Sequence, residues 1–248
     1  MVTRRQLSDT EWLLLTTPDD TEEAPWMVVP EFQWRVVALL MSALRLYVRR
    51  RGLTWHLAAE LKITMPRRII PRSLDLAPDL MVVEADDAPR TSWDVRVEGQ
   101  VPPFVLEVVT KDSWERDTVE KPLLYDAMGV QEYVIFAPQR KDGGPLLFGY
   151  HRDAEGRFVP WHTDEQGALH SAVLGGLTLY VEDGEWLRLR DAQGQRLPSA
   201  EEEAERAERE AARAEREAAR AEQEAAARQA AEAELERLRA LLRQQDTS

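Results

Sequence analysis

Two acidic residues interrupt strongly apolar runs. Asp79 lies in Ala77-Pro78-Asp79-Leu80-Met81-Val82-Val83, and Glu107 lies in Phe104-Val105-Leu106-Glu107-Val108-Val109. A carboxylate among apolar neighbours carries a heavy desolvation cost unless a cation or a metal compensates it. Two such carboxylates on neighbouring strands would form an oxygen-rich site suited to Mg2+ or Mn2+. A lysine beside them would complete a phosphodiesterase centre, its ammonium steadying negative charge that develops on the phosphate. The competing structural reading has Glu107 paired with an arginine and Asp79 at a strand edge. Lys111 keeps the parity of Glu107 along an extended strand, which would point it to the same side.

The elements that must position these groups follow from periodicity. Glu31 to Arg51 reads as a helix, with Trp34, Val37, Ala38, Met41 and Leu44 at three- and four-residue spacing and Gly52 as its stop. Trp55 to Met65 alternates as a strand, Pro66 to Arg72 is a basic turn, and Leu76 to Val83 is a second strand. Asp86 to Pro103 reads as an irregular polar insert containing Trp93. Phe104 to Val109 is a strand buried on both faces. Arg116 to Met128 reads as a helix ended by Gly129, and Tyr133 to Phe136 as another buried strand. Leu146–His151 and Arg157–Trp161 form a hairpin-like pair, and short strands at Leu177–Val181 and Trp186–Leu189 follow. This order predicts an α/β domain with a mixed central sheet.

The 248-residue chain carries a net charge of −13, which argues against a purely electrostatic DNA binder. The charge is uneven. Between positions 35 and 72 stand nine basic residues, among them Arg49, Arg50, Arg51, Lys62, Arg67 and Arg68, against the single acid Glu60. That stretch is either a face for a polyanion or a solvated helix and hairpin. The absence of cysteine excludes a disulfide scaffold and a thiolate site and suits a cytoplasmic setting. No apolar run is long enough to span a membrane. The four histidines show no metal-binding spacing, and no GxSxG, P-loop or GxGxxG motif is present.

Composition changes abruptly near Pro198. From position 200 onward the chain is almost wholly Ala, Glu, Arg and Gln, with AEREAAR at 207–213 and again at 214–220. Ala204, Ala207, Ala211, Ala214, Ala218, Ala221 and Ala225 form an a/d seam on a long helix. The tail is then either a coiled-coil arm joining a homodimer or a solvated helix. The expected organisation is an N-terminal extension over 1–30, a globular domain over 31–195 and a helical tail over 196–248.

Pro78-Asp79, a spacer and Leu106-Glu107-Val108 resemble the PD…(D/E)XK arrangement. Arg116-Asp117, Glu120-Lys121, Leu124-Tyr125, Gly129-Val130, Glu132-Tyr133 and Ala137-Pro138 resemble the Uma2 (DUF820) family of that nuclease superfamily. The resemblance covers roughly positions 31 to 189. It implies a restriction-endonuclease-like fold, a metal-dependent endonuclease acting on DNA, Asp79 and Glu107 as ligands of Mg2+ or Mn2+, and Glu60 as an additional acid. It also implies Lys121, on the helix, as the catalytic lysine, with Tyr125 four residues on along the same face to contact phosphate or to pack. Two positions depart from the family pattern: Val109 stands where the ExK lysine belongs, and Pro122 directly follows Lys121. They favour an alternative, a nuclease-fold module that no longer cleaves and assembles through its tail.

Overall fold

The computed structural model describes residues 31–65, 76–138, 140 and 142–245. Arg67, Arg68 and Arg72 therefore lie outside the described residues, as does the N-terminal extension. The chain divides into two units, residues 1–199 and 200–248.

The first unit is built on a six-stranded mixed sheet ordered β1-β3-β5-β6-β7-β8. Its strands are β1 (Trp55–Ala58), β3 (Leu80–Glu84), β5 (Phe104–Val108), β6 (Glu132–Phe136), β7 (Leu147–Arg152) and β8 (Phe158–His162). Only β5 and β6 run parallel; every other neighbouring pair is antiparallel. Alternation along β5 divides the interior. Phe104, Leu106 and Val108 join the core under helix α1 (Glu31–Arg51), while Val105 and Val109 join the core on the opposite face. Gly52, at φ 63, ends α1 in the left-handed conformation that favours glycine. Gly149 is required on β7 because a Cβ there would lie 2.0 Å from the Tyr133 carbonyl oxygen.

A second sheet, ordered β11-β10-β9, comprises β9 (Ala168–His170), β10 (Thr178–Glu182) and β11 (Trp186–Arg190). Its apolar residues complete the core on the α1 side. Buried Glu132 ties it to the main sheet, accepting from the Ser171 hydroxyl and from the amides of Ala172 (2.8 Å) and Val173 (3.2 Å).

Two sequence expectations need correction. The single strand over Trp55–Met65 is broken: Glu60 turns to φ 52 and β2 (Ile63–Thr64) leaves the main sheet to pair in parallel with β4 (Trp93–Asp94). The stretch from Asp86 to Pro103 is not a featureless insert either. It carries β4 and the single-turn helix α2 (Val95–Glu98), and Trp93 is fully buried with its indole N–H donated to the Gln100 carbonyl at 3.0 Å. An indole at the centre of a core, its one donor satisfied, anchors a segment whose polar composition read as loop.

Between β5 and β6 the chain crosses through a π-helical segment (Arg116–Glu120) and then α3 (Lys121–Met128). The Lys121 amide donates to the Arg116 carbonyl, five residues back. Pro122, which lacks an amide hydrogen, falls in the first turn of α3, where none is needed. The widened turn admits the proline without ending the helical path.

The second unit is one helix, α4 (Ala200–Gln245), 46 residues long and thus about 69 Å. Its alanine seam is exposed. Ion pairs such as Arg213–Glu217 and Arg220–Glu224, both 2.8 Å, brace it from within.

Candidate active site

Asp79 is the residue immediately before β3. The β3–β5 register pairs Leu80 with Leu106, and carried one residue further it sets Asp79 across from Glu107 on the same face. Asp79 is held from two sides. Its Oδ2 accepts the Val108 amide at 2.6 Å, and its Oδ1 accepts Gln33 Nε2 from the start of α1, also at 2.6 Å.

Glu107, 2% exposed, receives the π–α3 segment. Lys121 Nζ lies 2.7 Å from Glu107 Oε1 and 2.6 Å from Asp117 Oδ1, and the Tyr125 hydroxyl donates to Glu107 Oε1 at 3.0 Å. Asp117, Lys121 and Tyr125 follow one another at four-residue steps, so one face of the segment delivers all three. Asp117 is fixed by its own backbone: its amide donates to the Ser113 carbonyl at 2.9 Å and its carbonyl accepts the Tyr133 hydroxyl at 2.6 Å.

The electrostatics reflect three carboxylates around one buried ammonium. Burial pushes Glu107 up to about 8, with Lys121 opposing and the charges of Asp79 and Asp117 reinforcing. Burial also raises Asp79 to about 6, against the Val108 amide, Lys121 and Gln33, which lower it. Burial alone would depress Lys121, but Glu107 and Asp117 outweigh it and its pKa rises. Tyr125 is held protonated by burial and by Glu107, so it serves as a hydrogen-bond donor.

Among the described residues, no three His, Cys, Asp or Glu side chains gather as a metal cage. The donor set nevertheless fits a hard divalent cation of the Mg2+ type. Such an ion takes one or two protein carboxylates and completes its shell with water and substrate oxygens. Asp79 and Glu107 supply two, on one face of one sheet end, in a cluster with more carboxylates than cations.

Of the other residues singled out from sequence, Lys111 is exposed in the turn after β5, whereas Lys121 holds Glu107. Glu60 is exposed, and its amide donates to the Pro78 carbonyl, next to Asp79, at 3.0 Å. Arg49, Arg50 and Arg51 are exposed at the last turn of α1. Seventeen residues separate Arg50 from Gln33, about 25 Å along the helix axis, so the fold does not bring them to the carboxylates. Lys62 is exposed just before β2. Gln33 and Asp117 escaped the sequence reading of the site. Asp117 was findable by the four-residue step that links Lys121 to Tyr125; nothing local marks Gln33.

The family model of Uma2, described as "Putative restriction endonuclease", matches residues 23–182. A solved structure described as "a putative nuclease belonging to DUF820", from Anabaena variabilis, is 12% identical, with a TM-score of 0.42, and covers 59% of this chain and 75% of its own. No curated protein matches the chain.

Proposed function

Because the chain belongs to the Uma2 family, we propose that it hydrolyses nucleic-acid phosphodiester bonds at the Asp79–Glu107–Lys121 cluster with a divalent cation, Mg2+ or Mn2+. The observation that carries this reading is the Lys121 ammonium 2.7 Å from Glu107, on the face where Asp79 stands opposite. A lysine from α3 thereby takes the role that buried Val109 cannot fill.

In this reading Asp79 and Glu107 hold the ion. When bound, it polarises the phosphate and acidifies a water molecule. Gln33 and the Val108 amide fix the Asp79 carboxylate, and the Tyr125 hydroxyl fixes Glu107, so neither carboxylate must reorganise as charge develops. The Lys121 ammonium stands beside the reacting phosphate and offsets the growing negative charge.

DNA is the proposed substrate. Arg49, Arg50 and Arg51 would reach the backbone only at about 25 Å from Gln33, some seven base pairs away. They would add affinity without touching the scissile phosphate. The helix α4 is proposed as an assembly arm joining two copies through its alanine seam.

Plasmid DNA incubated with the full chain and Mg2+ or Mn2+, beside the Glu107→Ala variant, tests the reading. Cleavage by the wild type that the variant loses is the expected outcome. Intact substrate under both ions, across several plasmids and RNAs, refutes hydrolysis and leaves the second reading, a nuclease-type fold that assembles through α4; the Lys121 ammonium already engaged by two carboxylates is the observation in its favour.

A further inference from the structure

Resting on the metal-site reading above, we propose that Asp117 is a positioning residue that takes over the Lys121 ammonium when Glu107 turns its charge to a divalent ion. Lys121 Nζ sits on Glu107 Oε1, so its positive charge offsets the carboxylate that the ion would bind. With Glu107 as its sole partner the lysine would form a closed neutral pair and compete with the metal. Releasing it would strand a buried cation, which is strongly unfavourable.

Asp117 removes that conflict. It lies 2.6 Å from the same ammonium, so Lys121 keeps a carboxylate whether or not Glu107 is engaged elsewhere. Asp117 is also held in place independently of Glu107. It is 3% exposed, carried by the π-helical turn, and anchored through the Ser113 carbonyl and the Tyr133 hydroxyl rather than through β5. Asp117 and Lys121 stand four residues apart, so the crossover segment presents both on one face. The triad is thus arranged as a hand-off: one ammonium, two carboxylates, one of which can be spared.

The test is Mn2+ affinity of the metal-stripped full chain by titration calorimetry, in a double-mutant cycle of Asp117→Asn and Lys121→Met. Asp117→Asn leaves Lys121 to Glu107 alone and weakens Mn2+ binding about tenfold or more, the scale seen when a group orienting a metal ligand is lost. In the Lys121→Met background the same change costs much less, because no ammonium remains to compete. Asp117→Glu, which keeps a carboxylate for the lysine, restores most of the affinity.

An equal loss in both backgrounds, or no loss, overturns the proposal, since a simple charge effect or a merely structural aspartate would not depend on Lys121. Failure of the wild type to bind Mn2+ refutes the metal-site reading and this inference together. Should Asp117→Asn not fold, Asp117→Ser is put through the same cycle with Lys121→Met, and the same two outcomes decide: a loss of Mn2+ affinity confined to the chain that keeps Lys121 supports the proposal, and an equal loss or none overturns it.

Discussion

Replacing Glu107 by glutamine should change how stability depends on pH in the absence of metal. Glu107 is buried, and folding raises its pKa from 4.5 to about 8. The folded chain therefore binds a proton there that the unfolded chain releases, so stability falls as pH rises through that window. A rise from 4.5 to about 8 corresponds to at most about 5 kcal/mol between the ends of the window. Asp79 works in the same direction over a narrower range, from 3.8 to about 6, so its share is spent by about neutral pH. Glutamine keeps the acceptor for Tyr125 and Lys121 and leaves Lys121 paired with Asp117. Urea unfolding in EDTA at intervals between pH 5 and 8.5 measures the effect. The wild type should lose several kcal/mol across the range, and Glu107→Gln should lose only the early part that Asp79 contributes. The net charge of −13 adds its own decline at high pH, but that is nearly common to both proteins. Parallel curves for the two would refute the claim that Glu107 is buried against its charge.

Two further outcomes follow from the fold. Gly149→Ala places a methyl group 2.0 Å from the Tyr133 carbonyl oxygen and 3.2 Å from the Val134 Cα, both backbone atoms in the next strand. A destabilisation of about 3 kcal/mol is expected, read as a fall in Tm of roughly 6–12 °C by calorimetry; a loss under about 1 kcal/mol would show that β6 and β7 separate more easily than their register implies. In α4, the exposed Glu208, Glu215 and Glu222 flank one side of the alanine seam and Glu210, Glu217 and Glu224 the other, so a second copy would meet like charges in either orientation. Association through the tail should therefore strengthen as salt screens them, with sedimentation showing a greater mass at about 0.5 M than at about 0.05 M ionic strength; a mass that deletion of 200–248 leaves unchanged at both would sink the arm.

Local periodicity made much of this chain legible. The three- and four-residue recurrence of α1, the apolar run of β5 broken by Glu107 and the seven-residue repeat of α4 each depend on neighbours close in sequence. The anomaly of Asp79 and Glu107 also showed, since a carboxylate in an apolar run conflicts with its setting wherever the run lies. Asp117, Lys121 and Tyr125 could be placed on one face by counting alone. What the sequence left open was decided by contacts between distant residues. The β3–β5 register set Asp79 opposite Glu107, and the packing of α1 brought Gln33 to Asp79 across 46 positions. The crossover after β5 put Lys121, rather than Lys111, on the buried carboxylate, although strand parity had pointed to Lys111. The length of α1 carried Arg49–Arg51 away from the carboxylates, although their sequence neighbourhood gave no hint of that distance. The polar segment around Trp93 stays largely at the surface but is anchored, because its indole is buried and donates to the Gln100 carbonyl. Side-chain period fixes which face a residue occupies within its own element; which elements meet, and at what register, depends on how whole faces pack, and no local window contains that information.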